Sequence, residues 1–206
     1  CSSSSSWLEY SSSTRLDFHY KDKSVNGLVH FQYSSNYNKR LHDQIYFAAC
    51  QLSSDELKQD KSAFFNSILG TLNHILVGDL IWLTRFMHAT ETSNRTPSLK
   101  KLNIFPTPTR LDQIVYEDFS ELHSARLELD NIIHEWLFYD MDEATLESNI
   151  SYKNMKQEPS CRNLAELLSH LFNHQTHHRG QVTTLLSQSG LDVGTTDYLI
   201  DIPQVN

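Results

Sequence analysis

The chain has 206 residues, a formal net charge of −8 at pH 7 and 11 histidines. That length fits one domain with an extension, and the acidic balance, without a dense Lys/Arg run, excludes a dedicated nucleic-acid binder. Cys1, Cys50 and Cys161 are scattered and form no Cys-x-x-Cys, so neither a disulfide framework nor a thiolate metal site is indicated, and a reducing cytoplasm is the expected compartment.

Residues 1–30 hold two serine clusters and keep no helical or strand period. We read them as a poorly structured N-terminal extension, a gene-start artefact given Cys in place of Met at position 1, ahead of a domain over residues 31–206. From residue 31 to 51, Tyr33, Tyr37, Leu41, Ile45, Ala48 and then Leu52 recur at three or four residues. This spacing predicts an amphipathic first helix, stopped by the polar run Ser53-Ser54-Asp55-Glu56.

Ser62 is placed to cap a second helix over residues 64–86, which is apolar around nearly its whole circumference. Its longest apolar run, residues 74–83, is broken by Asp79 and falls short of the roughly 20 residues of a membrane span. It therefore reads as a core helix. One face carries Phe65, Ile68, Leu72, Leu76 and Leu83. The opposite face carries Ser67, Gly70, Thr71, His74 and Gly78, mostly small residues that allow close backbone approach and leave room beside His74. Periodicity leaves two readings of His74 open: a solvent-facing residue beside tight helix packing, or a ligand.

Residues 90–109, with Pro97, Pro106 and Pro108, form a long crossover that could cover the domain or border a site. A third helix is expected to begin at Asp112, with Ile114, Val115, Phe119, Leu122, Leu129, Ile132, Ile133, Trp136 and Leu137 as its apolar stripe. The carboxylates Glu117, Asp118, Glu121, Glu128 and Asp130 read as its solvated face. Residues 145–152 alternate apolar and polar, as a short strand or half of a hairpin would. Asn163, with Glu166 three residues on, marks the N-cap of a fourth helix, and Gly190 its stop.

That fourth helix carries the chemistry. At about 100° per residue, Leu164, Leu167, Leu171, His174, His178, Val182 and Leu185 fall within roughly 80° of one another. A buried imidazole needs partners for its ring nitrogens, and two at i and i+4 can converge on one cation. His170 and His177 lie at the border of the stripe and further round, as outer partners or exposed groups. Spacing alone leaves open which of the four histidines bind.

Thr71-Leu72-Asn73-His74-Ile75-Leu76, followed by Asp79 and Trp82, together with Asn173-His174-Gln175-Thr176-His177-His178-Arg179-Gly180-Gln181, resembles the DinB/YfiT-like family of metal-binding four-helix bundles. The resemblance implies an all-α four-helix bundle with a long crossover between helices 2 and 3 and a small β-hairpin before helix 4. It further implies a divalent metal held by His74, His174 and His178, with zinc suited to three imidazoles and an open position, and nickel or iron accepting the same nitrogens. Asp79, Arg179 and Gln181 match the motif words without a firm role, and with His170 and His177 they complete the expected surroundings of the metal.

Characterised relatives imply an enzyme of the thiol S-transferase kind, using bacillithiol, mycothiol or glutathione against small electrophilic substrates. The same site could activate water for hydrolysis, or belong to a metal-binding stress or interaction protein without turnover. The resemblance also implies a homodimer.

Overall fold

The computed structural model describes residues 27–90 and 96–204. Residues 1–26, most of the expected extension, lie outside the described residues. The protein is mostly helical, with α1 (Gly27–Ala49), α2 (Ser54–Lys58), α3 (Ile68–Thr90), α4 (Phe119–Glu135), α5 (Glu143–Leu146) and α6 (Leu164–Gln188). Between α5 and α6, β1 (Asn149–Lys153) and β2 (Pro159–Asn163) pair antiparallel, from Asn149 opposite Asn163 to Lys153 opposite Pro159. The expected strand therefore starts later than residue 145, because Asp142 caps Thr145 and turns residues 143–146 into α5.

The long helices α1, α3, α4 and α6 enclose one apolar core, in which α3 packs on α6 and α1 on both α4 and α6. Ile45, Leu76, Leu129 and Leu171, one from each, are fully buried within it. Among the described residues no helix is long and apolar enough to cross a membrane.

Several boundaries differ from the sequence reading for local reasons. α1 begins at Gly27, within the stretch assigned to the extension. The polar run after α1 starts a helix as well as ending one: Ser53 and Glu56 form a reciprocal capping box for α2. Ser62 does not cap α3, since its φ is +54°; Ser67 does, its Oγ accepting the Gly70 N–H at 3.0 Å.

α4 begins at Phe119 and not at Asp112. The Asp118 carboxylate accepts the Ser120 and Glu121 N–H groups, whereas Asp112 pairs with Arg110 at 2.7 Å on the crossover. The crossover itself holds a 3₁₀ segment, Ser98–Ile104, anchored by buried Leu99 and Leu102. The cap at Asn163 is present, its side chain accepting from the Ala165 and Glu166 N–H groups. Gly190, at φ +80°, ends α6 in the left-handed conformation that glycine adopts without strain.

Candidate metal centre

His174 and His178 stand one turn apart on α6, facing His74 of α3. Two glycines of α3 make this approach geometrically possible. A Cβ at Gly78 would lie 2.7 Å from His174 Cε1, so the missing side chain is the space into which the imidazole fits. A Cβ at Gly70 would collide with the Phe65 carbonyl oxygen, so this glycine lets the turn before α3 fold back. The Phe65 ring then stacks on His74, with centroids 3.7 Å apart and planes 17° apart, and meets His178 edge-on. His74 is consequently only 4% exposed. Its solvent-facing reading fails because the folded-back turn and the crossover cover a helix face that periodicity leaves unassigned.

His74 Nε2 lies 3.0 Å from His174 Nε2 and 3.1 Å from His178 Nε2. For His74 and His178 the far nitrogens settle what Nε2 carries. His74 Nδ1–H donates to the Leu111 carbonyl at 2.8 Å, and a carbonyl can only accept. His178 Nδ1–H donates to Gln181 Oε1, also at 2.8 Å. In both neutral rings the proton is therefore on Nδ1, and Nε2 presents a lone pair. Two lone pairs 3.1 Å apart repel unless a cation lies between them. Nitrogens about 2.1 Å from a common ion, at angles of 90–109°, would be about 3.0–3.4 Å apart. The donor set thus fits a divalent ion, and all three ligand atoms lie within 4.8 Å of one another.

Burial depresses the pKa of each of the three rings. For His174 it falls to about 3, through burial first and then the charges that His178 and His74 would carry. For His74, burial outweighs the opposing bond to Leu111, and for His178 it outweighs the bond to Gln181. At neutral pH the cluster is uncharged and its lone pairs are available.

The DinB family model matches residues 26–204, a span that takes in every described residue. The chain belongs to the DinB family. A curated relative, Protein DinB of Bacillus subtilis (strain 168), is 25% identical over 162 residues, covering 79% of this chain and 87% of the relative. The crystal structure of a DinB-like protein from Bacillus cereus ATCC 10987 matches with a TM-score of 0.52 at 20% identity, over 82% of this chain and 94% of that one. That likeness supports the fold.

In this DinB-family protein the remaining motif residues separate into different environments. Gln181 joins the cluster through His178. His177 is exposed, its Nε2 3.4 Å from Gln181 Nε2, and His170 is exposed with its ring edge against Trp82 at 5.2 Å. Neither joins the three convergent nitrogens. Asp79 lies in the core, fully buried, bonded by Arg126 Nη1 at 2.5 Å and Gln175 Nε2 at 2.7 Å. Arg179 points toward α1, where it donates to Asn38 Oδ1 and to Thr176 Oγ1 and lies over the Tyr37 ring.

Asp130 requires correction. It is 3% exposed, paired with Arg126 Nη2 at 2.8 Å and His42 Nδ1 at 3.0 Å, and is no part of a solvated face. Leu122, Arg126, Leu129, Asp130 and Ile133 share one side of α4, so the signal was positional: a charged pair at i and i+4 within an apolar stripe. The Leu111 carbonyl and Phe65, by contrast, reach the cluster through chain reversals that leave no periodic trace.

Proposed function

We propose that His74, His174 and His178 hold a divalent cation, zinc by the character of the donors, with nickel or ferrous iron as chemically acceptable alternatives. The observation that carries this reading is the pair of Nε2 lone pairs 3.1 Å apart, with both Nδ1 protons committed to carbonyl oxygens. With three protein ligands the ion keeps an open position, as catalytic sites do. A bound ion of this kind would lower the pKa of a coordinated thiol or water into the neutral range.

On that basis the protein is a metal-dependent enzyme of the thiol S-transferase kind, acting on small electrophiles. The nucleophile would be an external low-molecular-weight thiol, since Cys50 and Cys161 are both exposed and outside the cluster. The chain's own residues have distinct parts. Leu111 and Gln181 fix ring orientation, Phe65 shields one side of the cluster from water, and Gln181 and His177 also line a surface cavity of about 510 Å³ shared with Lys61 and Phe64. That cavity offers room for thiol and electrophile, with a cationic amine and no carboxylate in its wall.

The test is elemental analysis of tag-free protein, wild type and His174→Ala, followed by a screen of thiols against electrophiles. Near-stoichiometric metal lost in the variant, with thiol consumption by wild type alone, is the expected result. Folded wild type that takes up none of zinc, nickel or iron would overturn the metal site. Stoichiometric metal without turnover of any thiol or ester substrate would leave a metal-binding protein and overturn the enzyme.

A further inference from the structure

The histidine cluster is covered from two sides, and the two covers are held differently. On the crossover side, buried Asn73 of α3 donates to the Tyr116 carbonyl at 3.0 Å and accepts the Val115 and Tyr116 N–H groups at 2.9 and 3.0 Å. With His74 bonded to the Leu111 carbonyl, that cover is pinned to the helix it lies on. The other cover is the turn over residues 60–66. Its hydrogen bonds are internal: Lys61 N–H to the Asn66 carbonyl at 2.7 Å, Asn66 N–H to the Ala63 carbonyl at 2.8 Å and Ser62 N–H to Asp60 Oδ1 at 2.8 Å. Among the described residues, none of its hydrogen bonds or ion pairs reaches beyond residues 59–67. What it lays on the cluster is the Phe65 ring, against the buried rings of His74 and His178.

Closing this turn also carries a conformational cost. Ser62 and Asn66, which bracket Phe64 and Phe65, hold φ at +54° and +64°, left-handed values that side-chain-bearing residues adopt with strain. Both residues are exposed, so water takes over their backbone bonds at little net cost when the turn opens, and the strain is relieved. A self-contained turn, strained when closed and fastened to the cluster by one aromatic ring, is a segment of low local stability.

We infer that residues 60–67 form a hinged cover, latched by Phe65 on His74 and His178, that opens to let an ion reach the three nitrogens and to let it leave. The inference rests on the metal-binding reading above. It gives Phe65 a part in exchange and not in affinity, because a gate scales entry and exit together and leaves their ratio unchanged.

The test is stopped-flow uptake of cobalt(II), followed by its absorption, and its release into excess chelator, on tag-free protein first stripped of metal. Wild-type uptake should level off as cobalt concentration rises, at the rate of opening. Phe65→Ala removes the latch, and Gly70→Ala wedges a methyl against the Phe65 carbonyl. Each should speed uptake and release together by about three- to tenfold, the worth of one aromatic contact, with the dissociation constant unchanged. Phe65→Tyr keeps the ring and should keep the wild-type rates. In metal-free protein, diethyl pyrocarbonate should modify His74 and His178 faster in both alanine variants, with exposed His170 as an unchanged reference. Wild-type uptake linear in cobalt, with variants no faster, would mean that the ion enters past His174 and would overturn the cover. Faster release alone, with weaker binding, would also overturn it, since that is the mark of a ring that only orients its neighbours. Protein that takes up none of cobalt, zinc, nickel or iron overturns the metal reading instead. The labelling then decides, and His74 and His178 modified no faster in the variants would overturn the cover as well.

Discussion

Gln181 determines which nitrogen of His178 faces the cluster. Its Oε1 accepts the Nδ1 proton at 2.8 Å and so keeps Nε2 free. The equivalent partner of His74 is the Leu111 backbone, which no side-chain substitution removes. Gln181→Leu should therefore weaken metal binding by about 10–100-fold, the usual cost of losing a partner behind a ligand, as read by competition with a chromophoric chelator at neutral pH. Unchanged affinity would show that packing alone orients the ring. His42 offers a second test at this scale. Burial holds it below its ordinary pKa of 6.5 despite the neighbouring Asp130. As pH falls through about 6.5 the unfolded chain takes up a proton that the folded chain refuses, so this contribution to stability is complete above that pH and lost below it. In chelator-treated protein, the thermal midpoint of His42→Gln should fall less steeply than wild type between neutral pH and about pH 5. Parallel curves would refute the assignment.

At the scale of elements, the two glycines of α3 should respond differently to the same substitution. Alanine gains up to about 1 kcal/mol over glycine in a helix interior. At Gly70 the added methyl meets the backbone oxygen of Phe65, which can move only with the whole turn, so Gly70→Ala should cost about 1–3 kcal/mol net. At Gly78 the methyl meets the His174 ring, which can swing away. Gly78→Ala should keep its stability within about 1 kcal/mol and lose metal affinity by about 10–100-fold. Urea denaturation and chelator competition on both variants check the contrast, and equal stability losses would contradict it. These helices also show what the sequence made legible. α6 could be read nearly end to end, because a cap at Asn163, an unbroken stripe and Gly190 all agree. The start of α4 could not, because Ile114 and Val115 continue the apolar period into the crossover while the deciding cap is Asp118. His174 and His178 were readable as chemistry from their i, i+4 spacing, whereas His74 was assigned by the family resemblance alone, because its cover depends on Phe65 and Leu111, whose approach is a tertiary contact without a local pattern.

Across the whole molecule, one buried polar network joins all four long helices. Asp79 comes from α3, Arg126 and Asp130 from α4, His42 from α1 and Gln175 from α6. Arg126 is its hub, 1% exposed, hydrogen-bonded to Asp79 and ion-paired with Asp130. Removing a single member of such a set strands the others, because the remaining charges stay desolvated without their counter-ion. Arg126→Met should therefore destabilise the protein by about 3–5 kcal/mol, although methionine fills much of the volume. In the same variant, metal affinity measured under conditions where it stays folded should be nearly unchanged, since no atom of the network bonds to His74, His174 or His178. Urea denaturation supplies the first number and chelator competition the second. A loss of metal affinity matching the loss of stability would mean that the core network and the histidine cluster act as one unit, and that the polar interior of these helices serves the site as well as the fold.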